Sequence, residues 1–233
     1  MPAWGIHLRI AKKINEKLKI KDYNNFLIGN IVTDINNGYI IKDVSKIINH
    51  RETHYYVENK ANIGKTIYYD IERCIEDNKD NLQNIVVIGY IVHLLADEYW
   101  NSLTYDKHGL FNNKNELIGI KLNTGADLII DGEGRKKIKQ NDFKVFVNYI
   151  YKNNLVDIPI YNEKIYEQTK GIKQIKLTKE DIKKTIDYLN KVRKGLDLEV
   201  KDYKIFTQAE MEENVDICVG YIINYLREHN INL

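Results

Sequence analysis

The chain has 233 residues, of which 43% are hydrophobic and 29% are charged, a balance typical of a globular protein with a substantial core. Its 35 lysines and arginines nearly balance 33 aspartates and glutamates, so a formal charge of +2 excludes the strong basic field of a dedicated nucleic-acid binder. The two cysteines lie far apart in the sequence, which excludes a paired metal or redox motif and is common in intracellular proteins.

The first hundred residues alternate between helical patterns and polar loops. Apolar residues that recur every three or four positions predict helices at 4–18, 24–34, 43–60, 62–77 and 82–101. A polar loop with a glycine, INNGY, separates the second helix from the third. The last of these helices is apolar on nearly every face, which is typical of a helix inside a protein.

The pattern changes in the second half of the chain. Residues 102–122 lack a helical period, which predicts a loop-rich insert with room for a pair of short strands. Helical periods return in three segments, 123–153, 177–196 and about 207–229, with an irregular stretch around Pro159.

Together these elements predict an all-α protein. Only two prolines occur, which permits long helices and argues against a turn-rich β-sandwich. No repeat or low-complexity linker divides the chain. We therefore expect a single domain over residues 1–233, a bundle of about eight helices with residues 1–101 as one half and 123–233 as the other.

The sequence shows neither a secretory signal nor a membrane span. The N-terminal segment MPAWGIHLRIAKKINEKL lacks an apolar core followed by a cleavage site. The longest apolar run is shorter than the ~20 residues that cross a bilayer. We therefore expect no transmembrane segment and a cytoplasmic location.

Imidazoles and carboxylates interrupt the apolar helical faces of the N-terminal half. His93 and Asp97 lie one turn apart in the apolar segment GYIVHLLADEYWN, where an uncompensated carboxylate would be unfavourable. The earlier apolar faces carry His7, Asp34 and either His50 or His54. Such side chains are the ligands that zinc and similar metals prefer, and helical bundles build metal sites from inward-facing ligands of several helices. The pattern therefore predicts a metal centre.

Each residue also has an ordinary structural explanation. His7 alone would more often be a hydrogen-bonded core histidine than a ligand, and Asp34 could cap a turn. The other residues could form a solvated helix face or a buried ion pair without a metal. Because all these explanations would have to hold together, we favour the metal centre.

Four motifs, W-x-x-H at the start of the chain, GNIVTD, T-H-Y and H-L-L-A-D, resemble in this order the zinc-dependent phospholipase C family. The resemblance covers about residues 1–101. It implies an all-helical bundle whose metal cluster holds two zinc ions bridged by an aspartate, with a third nearby. It also implies cleavage of phosphodiesters, typically in phospholipids.

The resemblance implies a metal-binding role for five residues. Asp97 matches the bridging aspartate, and His93 matches the ligand one turn before it. His7 matches the first histidine after the tryptophan, Asp34 an aspartate of an earlier helix, and His54 a histidine with an aromatic neighbour, for which His50 is the alternative. Asp34 could also have a catalytic role, as a base that orients the attacking water.

Two departures from the family pattern bear on the number of ions. Trp4 follows three residues, whereas in the secreted enzymes the tryptophan begins the chain and its terminal amine binds metal. In the stretch soon after Asp97 the only histidine is His108, without the H-x-x-x-E motif that the third zinc requires. We therefore expect one or two ions, zinc or another divalent transition metal.

The sequence thus predicts a metal-dependent hydrolase of phosphoric esters that uses metal-bound hydroxide. Its expected partner is a phosphoester substrate such as a phospholipid, with no nucleic acid. One alternative is a non-catalytic helical domain with a structural metal, whose site would be closed by protein ligands. Another is a cytoplasmic phosphohydrolase that acts on a soluble, nucleotide-like substrate.

Overall fold

A computed structural model describes residues 3–57, 68–194 and 202–233. Within these ranges the chain forms nine α-helices and five short strands, which confirms the predicted all-α fold. The helices are α1 (Trp4–Leu18), α2 (Tyr23–Ile35), α3 (His50–Thr53), α4 (Ile71–Asp77), α5 (Ile85–Ser102), α6 (Gly132–Lys152), α7 (Glu163–Thr169), α8 (Lys179–Lys194) and α9 (Gln208–Glu228). The strands are β1 (Tyr56–Val57), β2 (Tyr68–Tyr69), β3 (Gly109–Phe111), β4 (Leu117–Lys121) and β5 (Asp127–Ile129).

The segment after α2 differs from the prediction. A continuous helix over 43–60 is wrong, because α3 is the only helix among the described residues of this range and β1 follows it. Tyr55 adopts a φ of 50°, a left-handed conformation that stops a helix. Ile47, one of the apolar residues whose spacing predicted this helix, is 60% exposed. Residues 58–60 of that prediction lie outside the described ranges.

Two short helices begin at side-chain caps that the apolar period did not reveal. The helix predicted over 62–77 is shorter, because β2 precedes it and Asp70 caps the start of α4. Its predicted residues 62–67 lie outside the described ranges. The stretch around Pro159, predicted to be irregular, leads into α7, which Asn162 caps through its side chain.

The insert at 102–122 contains more structure than expected. α5 runs into a π-helical turn at Leu103–Lys107, and an antiparallel sheet of three strands follows, in the order β3-β4-β5. The third strand lies in the segment 123–153 that was predicted to be helical throughout. α6 begins only at Gly132, where the Asp131 side chain caps it.

α2 and α5 form the centre of the bundle and pack against each other, with buried side chains on almost every face. α1 packs on α2, α6 and α9, while α7 and α9 contact α5. The buried apolar residues of the N-terminal and C-terminal halves form one cluster. The polar residues of α2 and α5 therefore lie deep inside the protein.

Within the three described ranges, no helix combines the length and the hydropathy needed to cross a lipid bilayer. The cytoplasmic location stays a prediction.

Candidate metal centre

Five of the predicted site residues meet in the middle of the bundle. α1 supplies His7, α2 supplies Asp34, α5 supplies both His93 and Asp97, and His54 directly follows α3. All are buried, and only Asp34 has measurable exposure, at 5%. The chain thus brings together side chains up to 90 positions apart, from His7 to Asp97.

The ring nitrogens and carboxylate oxygens face one another across short gaps. His7 Nε2 lies 3.4 Å from Asp97 Oδ1. His54 Nε2 lies 3.3 Å from Asp34 Oδ1 and 3.5 Å from Asp97 Oδ2. His93 Nε2 lies 3.5 Å from Asp97 Oδ2 and 4.0 Å from Asp34 Oδ2. Two groups of donors among the described residues could hold a metal ion: His7, His93 and Asp97, and Asp34, His54 and His93.

The gaps are long for hydrogen bonds but suit ligands that share an ion. An N–H···O bond spans about 2.7–3.2 Å. Two ligands about 2.0–2.1 Å from a tetrahedral zinc ion lie about 3.4 Å apart. Among the described residues, the Nε2 atoms of His54 and His93 and both carboxylate oxygens of Asp97 have no hydrogen-bond partner. Because buried polar atoms are almost always partnered, this donor set fits a bound metal ion.

Hydrogen bonds on the far side of two rings direct the Nε2 lone pairs towards the centre. His93 Nδ1 lies 2.8 Å from the carbonyl oxygen of Asn30, which can only accept, so Nδ1 carries a proton. His54 Nδ1 lies 2.9 Å from Thr53 Oγ1, and that hydroxyl donates to Asn37 Oδ1 at 3.0 Å. In the neutral rings Nε2 is then an acceptor that faces carboxylate oxygens, and a cation is needed between them.

Two further donors orient Asp34. The Trp4 indole donates from Nε1 to Oδ2 at 3.1 Å, and Asn37 Nδ2 donates to Oδ1 at 3.3 Å. Outer hydrogen bonds of this kind hold metal ligands in position.

Sequence reasoning missed the supporting roles of Asn30, Asn37 and Trp4. A signal was present, because the two asparagines lie about one turn from Asp34 next to an otherwise apolar face.

Burial and the two carboxylates set the protonation of the metal-free centre. Burial, together with neighbouring His93, lowers the pKa of His7 to about 4. Burial opposes the ionisation of Asp34, but the His54 contact and the His93 charge outweigh it and lower the pKa to about 2. Burial also disfavours a charged His93, yet the Asp97 charge outweighs it and raises the pKa of His93. Without metal, the two carboxylates therefore favour a proton on His93, whose positive charge a bound ion would replace.

His50 and His108 lie outside both donor groups. The His50 ring stacks on His54, with centroids 3.8 Å apart, so His50 flanks the centre. His54 is the member of this pair that faces the carboxylates. The His108 ring packs edge-on against Phe206, with centroids 4.9 Å apart.

No family model matches this chain, and neither the curated proteins nor the solved structures contain a match. The resemblance to the zinc-dependent phospholipase C family stays a prediction. The function has to be argued from the chemistry of the centre.

Proposed function

We propose that the protein is a metal-dependent hydrolase of phosphoric esters with zinc at the buried histidine–aspartate centre. One observation carries the proposal: Nε2 of His54 and of His93 and both oxygens of Asp97 are buried, face one another and have no hydrogen-bond partner in the described part of the chain. Such atoms are costly to bury unless a cation binds them.

His93 is the ligand common to both donor groups in this proposal. One ion would be held by His93 together with either His7 and Asp97 or Asp34 and His54. A second ion would be held by the two residues that remain in the other group, either Asp34 and His54 or His7 and Asp97. Asp97 suits a bridging role, because Oδ1 faces His7 while Oδ2 faces His54 and His93.

Catalysis is favoured over a purely structural metal because each group offers three protein donors among the described residues. Structural zinc sites are closed by four protein ligands, whereas catalytic sites keep a position for water or substrate. A divalent ion bound there lowers the pKa of water and polarises a phosphoryl oxygen. In addition to its role as a ligand, Asp34 would orient the attacking water, because it is the most exposed of the five and is itself fixed by Trp4.

The first experiment measures zinc per chain by elemental analysis, in the wild type and in the variants H93A, H7A and H54A. We expect about one or two equivalents in the wild type and loss of zinc in H93A, the shared ligand. If H54A retains zinc and H7A loses it, the ion is held by His7, His93 and Asp97. The opposite result identifies the group of Asp34, His54 and His93. H229A is the matched control, because His229 lies on the surface and pairs with Glu72.

Activity assays then separate the functional alternatives. Zinc-loaded wild-type protein is offered generic phosphodiesters and phosphomonoesters, phosphatidylcholine vesicles and nucleotides. Hydrolysis that H93A abolishes supports the proposal, and the preferred substrate distinguishes lipid from soluble esters. Bound zinc with no hydrolysis, together with a large drop in melting temperature on chelation, would instead identify a structural metal.

A further inference from the structure

α6 carries a buried lysine that the proposed hydrolytic chemistry does not use. Lys139 is only 4% exposed. Its Nζ donates to Asn101 Oδ1 at 3.0 Å and lies 4.6 Å from the centre of the Tyr105 ring. In the part of the chain that the structure describes, no carboxylate forms an ion pair with it. A buried lysine without a carboxylate partner is rare and unfavourable, which indicates a role for its charge.

A short chain of contacts connects Lys139 with the metal centre. Asn101 lies one helical turn after Asp97 in α5, and its Nδ2 donates to the Tyr69 hydroxyl at 3.1 Å. The Tyr69 ring lies 6.1 Å from the ring of His54. Burial lowers the pKa of Lys139 to about 8, although the Asp97 carboxylate acts in the opposite direction. The ammonium group is therefore largely charged at neutral pH and within electrostatic range of the centre.

Metal binding leaves the charge of Lys139 in excess. Asp34 and Asp97 together carry two negative charges, which one divalent ion neutralises. The buried ammonium group then lacks a counter-charge among the described residues of this region. An anionic oxygen of a bound phosphate would supply that counter-charge, and a lysine commonly binds phosphate in this way.

We propose that Lys139, positioned by Asn101, and the hydroxyl of Tyr69 form a subsite that binds the anionic oxygens of a phosphoryl group at the metal centre. This inference rests on the proposed function and narrows its substrate class to anionic phosphoesters. The Tyr69 hydroxyl accepts its bond from Asn101, and no described residue accepts its proton. That proton can be donated to a substrate oxygen.

Isothermal titration calorimetry of the zinc-loaded protein with inorganic phosphate, at about pH 7, tests the subsite. Inorganic phosphate is not hydrolysed, so the measurement reports binding alone. K139M removes the charge at similar length, and K139Q also keeps a donor for Asn101. K144M is the control, because Lys144 is exposed on the same helix. We expect about 10- to 100-fold weaker phosphate binding in K139M and K139Q, unchanged binding in K144M and equal zinc content in all.

Phosphate affinity equal to that of the wild type in folded, zinc-loaded K139M would overturn the subsite, as would a wild type that binds zinc but no phosphate. If K139M does not fold, K139Q decides by the same criterion, supported by Y69F, which deletes only the hydroxyl. Failure of the proposed function gives a different result: Lys139-dependent phosphate binding persists but no phosphoester is hydrolysed. A protein that takes up no zinc contradicts both, because the excess charge requires the metal.

Discussion

Gly29 in α2 and Gly89 in α5 face each other where their helices cross, and a Cβ atom built on either residue would lie 2.7 Å from the Cα atom of the other. Only glycine permits this approach. Asp34 follows Gly29 in α2, and His93 lies one turn after Gly89 in α5. The separation of the two helices therefore sets the distance between the Asp34 carboxylate and the His93 ring.

Gly89→Ala is predicted to separate the two helices. The added methyl group would also lie 2.7 Å from the Phe26 carbonyl oxygen, so backbone must move. Overpacking of this kind costs about 1–3 kcal/mol, which lowers the melting temperature by about 2–12 °C in a chain of this size. Zinc affinity should fall with it, which competition against a chelator measures.

The control for this substitution is Gly220→Ala in α9. Apart from the adjoining backbone of α9, no atom of the described residues lies within 4 Å of the Cβ position at Gly220, so the change should leave the melting temperature unchanged or raise it slightly. Equal melting temperatures and zinc affinities for the two variants would contradict the role of the glycine crossing.

Trp4→Phe is predicted to weaken zinc binding without removing a ligand. The substitution deletes the indole N–H that donates to Asp34 Oδ2 at 3.1 Å. Loss of an outer hydrogen bond to a metal ligand typically reduces metal affinity about 10- to 100-fold. Trp100→Phe is the matched control, because Trp100 is also buried but no described residue forms a hydrogen bond with its Nε1. Equal zinc affinity in the two variants would show that the Trp4 bond does not orient Asp34.

The sequence revealed the centre where a polar residue interrupts an apolar helix. His93 and Asp97 stand out in the otherwise apolar α5, and Asp34 ends an apolar run in α2, so their burial could be predicted. Lys139 gave no such signal, because the segment KKIKQNDF around it is polar and its burial depends on the packing of α6. The hydrogen bond between Trp4 and Asp34 spans 30 positions, which helical periodicity does not detect.

The fold was predictable where apolar residues recur with a regular helical spacing over a long segment, as in α1, α5 and α9. It was not predictable around Tyr55, where a left-handed backbone conformation ends α3 within an apolar pattern that could have continued. β5 was missed for a related reason, because a strand of three residues is too short to show alternation.

If the group of Asp34, His54 and His93 holds an ion, His54→Ala is predicted to reduce bound zinc, whereas His50→Ala is predicted to leave it nearly unchanged. His54 Nε2 lies 3.3 Å from Asp34 Oδ1, while His50 belongs to neither donor group among the described residues. The two rings stack on each other, and each substitution removes one imidazole from the same place in the fold. Each variant therefore controls for the other. Elemental analysis after dialysis measures the difference. Greater loss in His50→Ala would reverse the assignment of the ligand.

His7 gives the metal-free protein a defined pH dependence. Its ring stacks on His93, with centroids 3.9 Å apart and planes 10° apart, so two protonated rings would repel. Burial and His93 lower the pKa of His7 to about 4 from an ordinary 6.5. A histidine whose folded pKa is lowered stabilises the protein above the unfolded pKa, and this contribution is lost as the pH falls towards the folded pKa.

We therefore predict that the free energy of unfolding of the metal-free protein falls by about 3 kcal/mol on account of His7 between about pH 6.5 and pH 4. Burial and His54 also lower the pKa of His50 to about 4. His7→Asn should therefore remove only part of the pH dependence of the free energy of unfolding, at most the slope that the uptake of one proton produces. Urea unfolding at several pH values, with chelator present, measures it. His229→Asn should keep the whole slope, because that residue lies at the surface and its pKa is raised. A slope that His7→Asn leaves unchanged would mean that the pKa of His7 is not lowered in the folded protein.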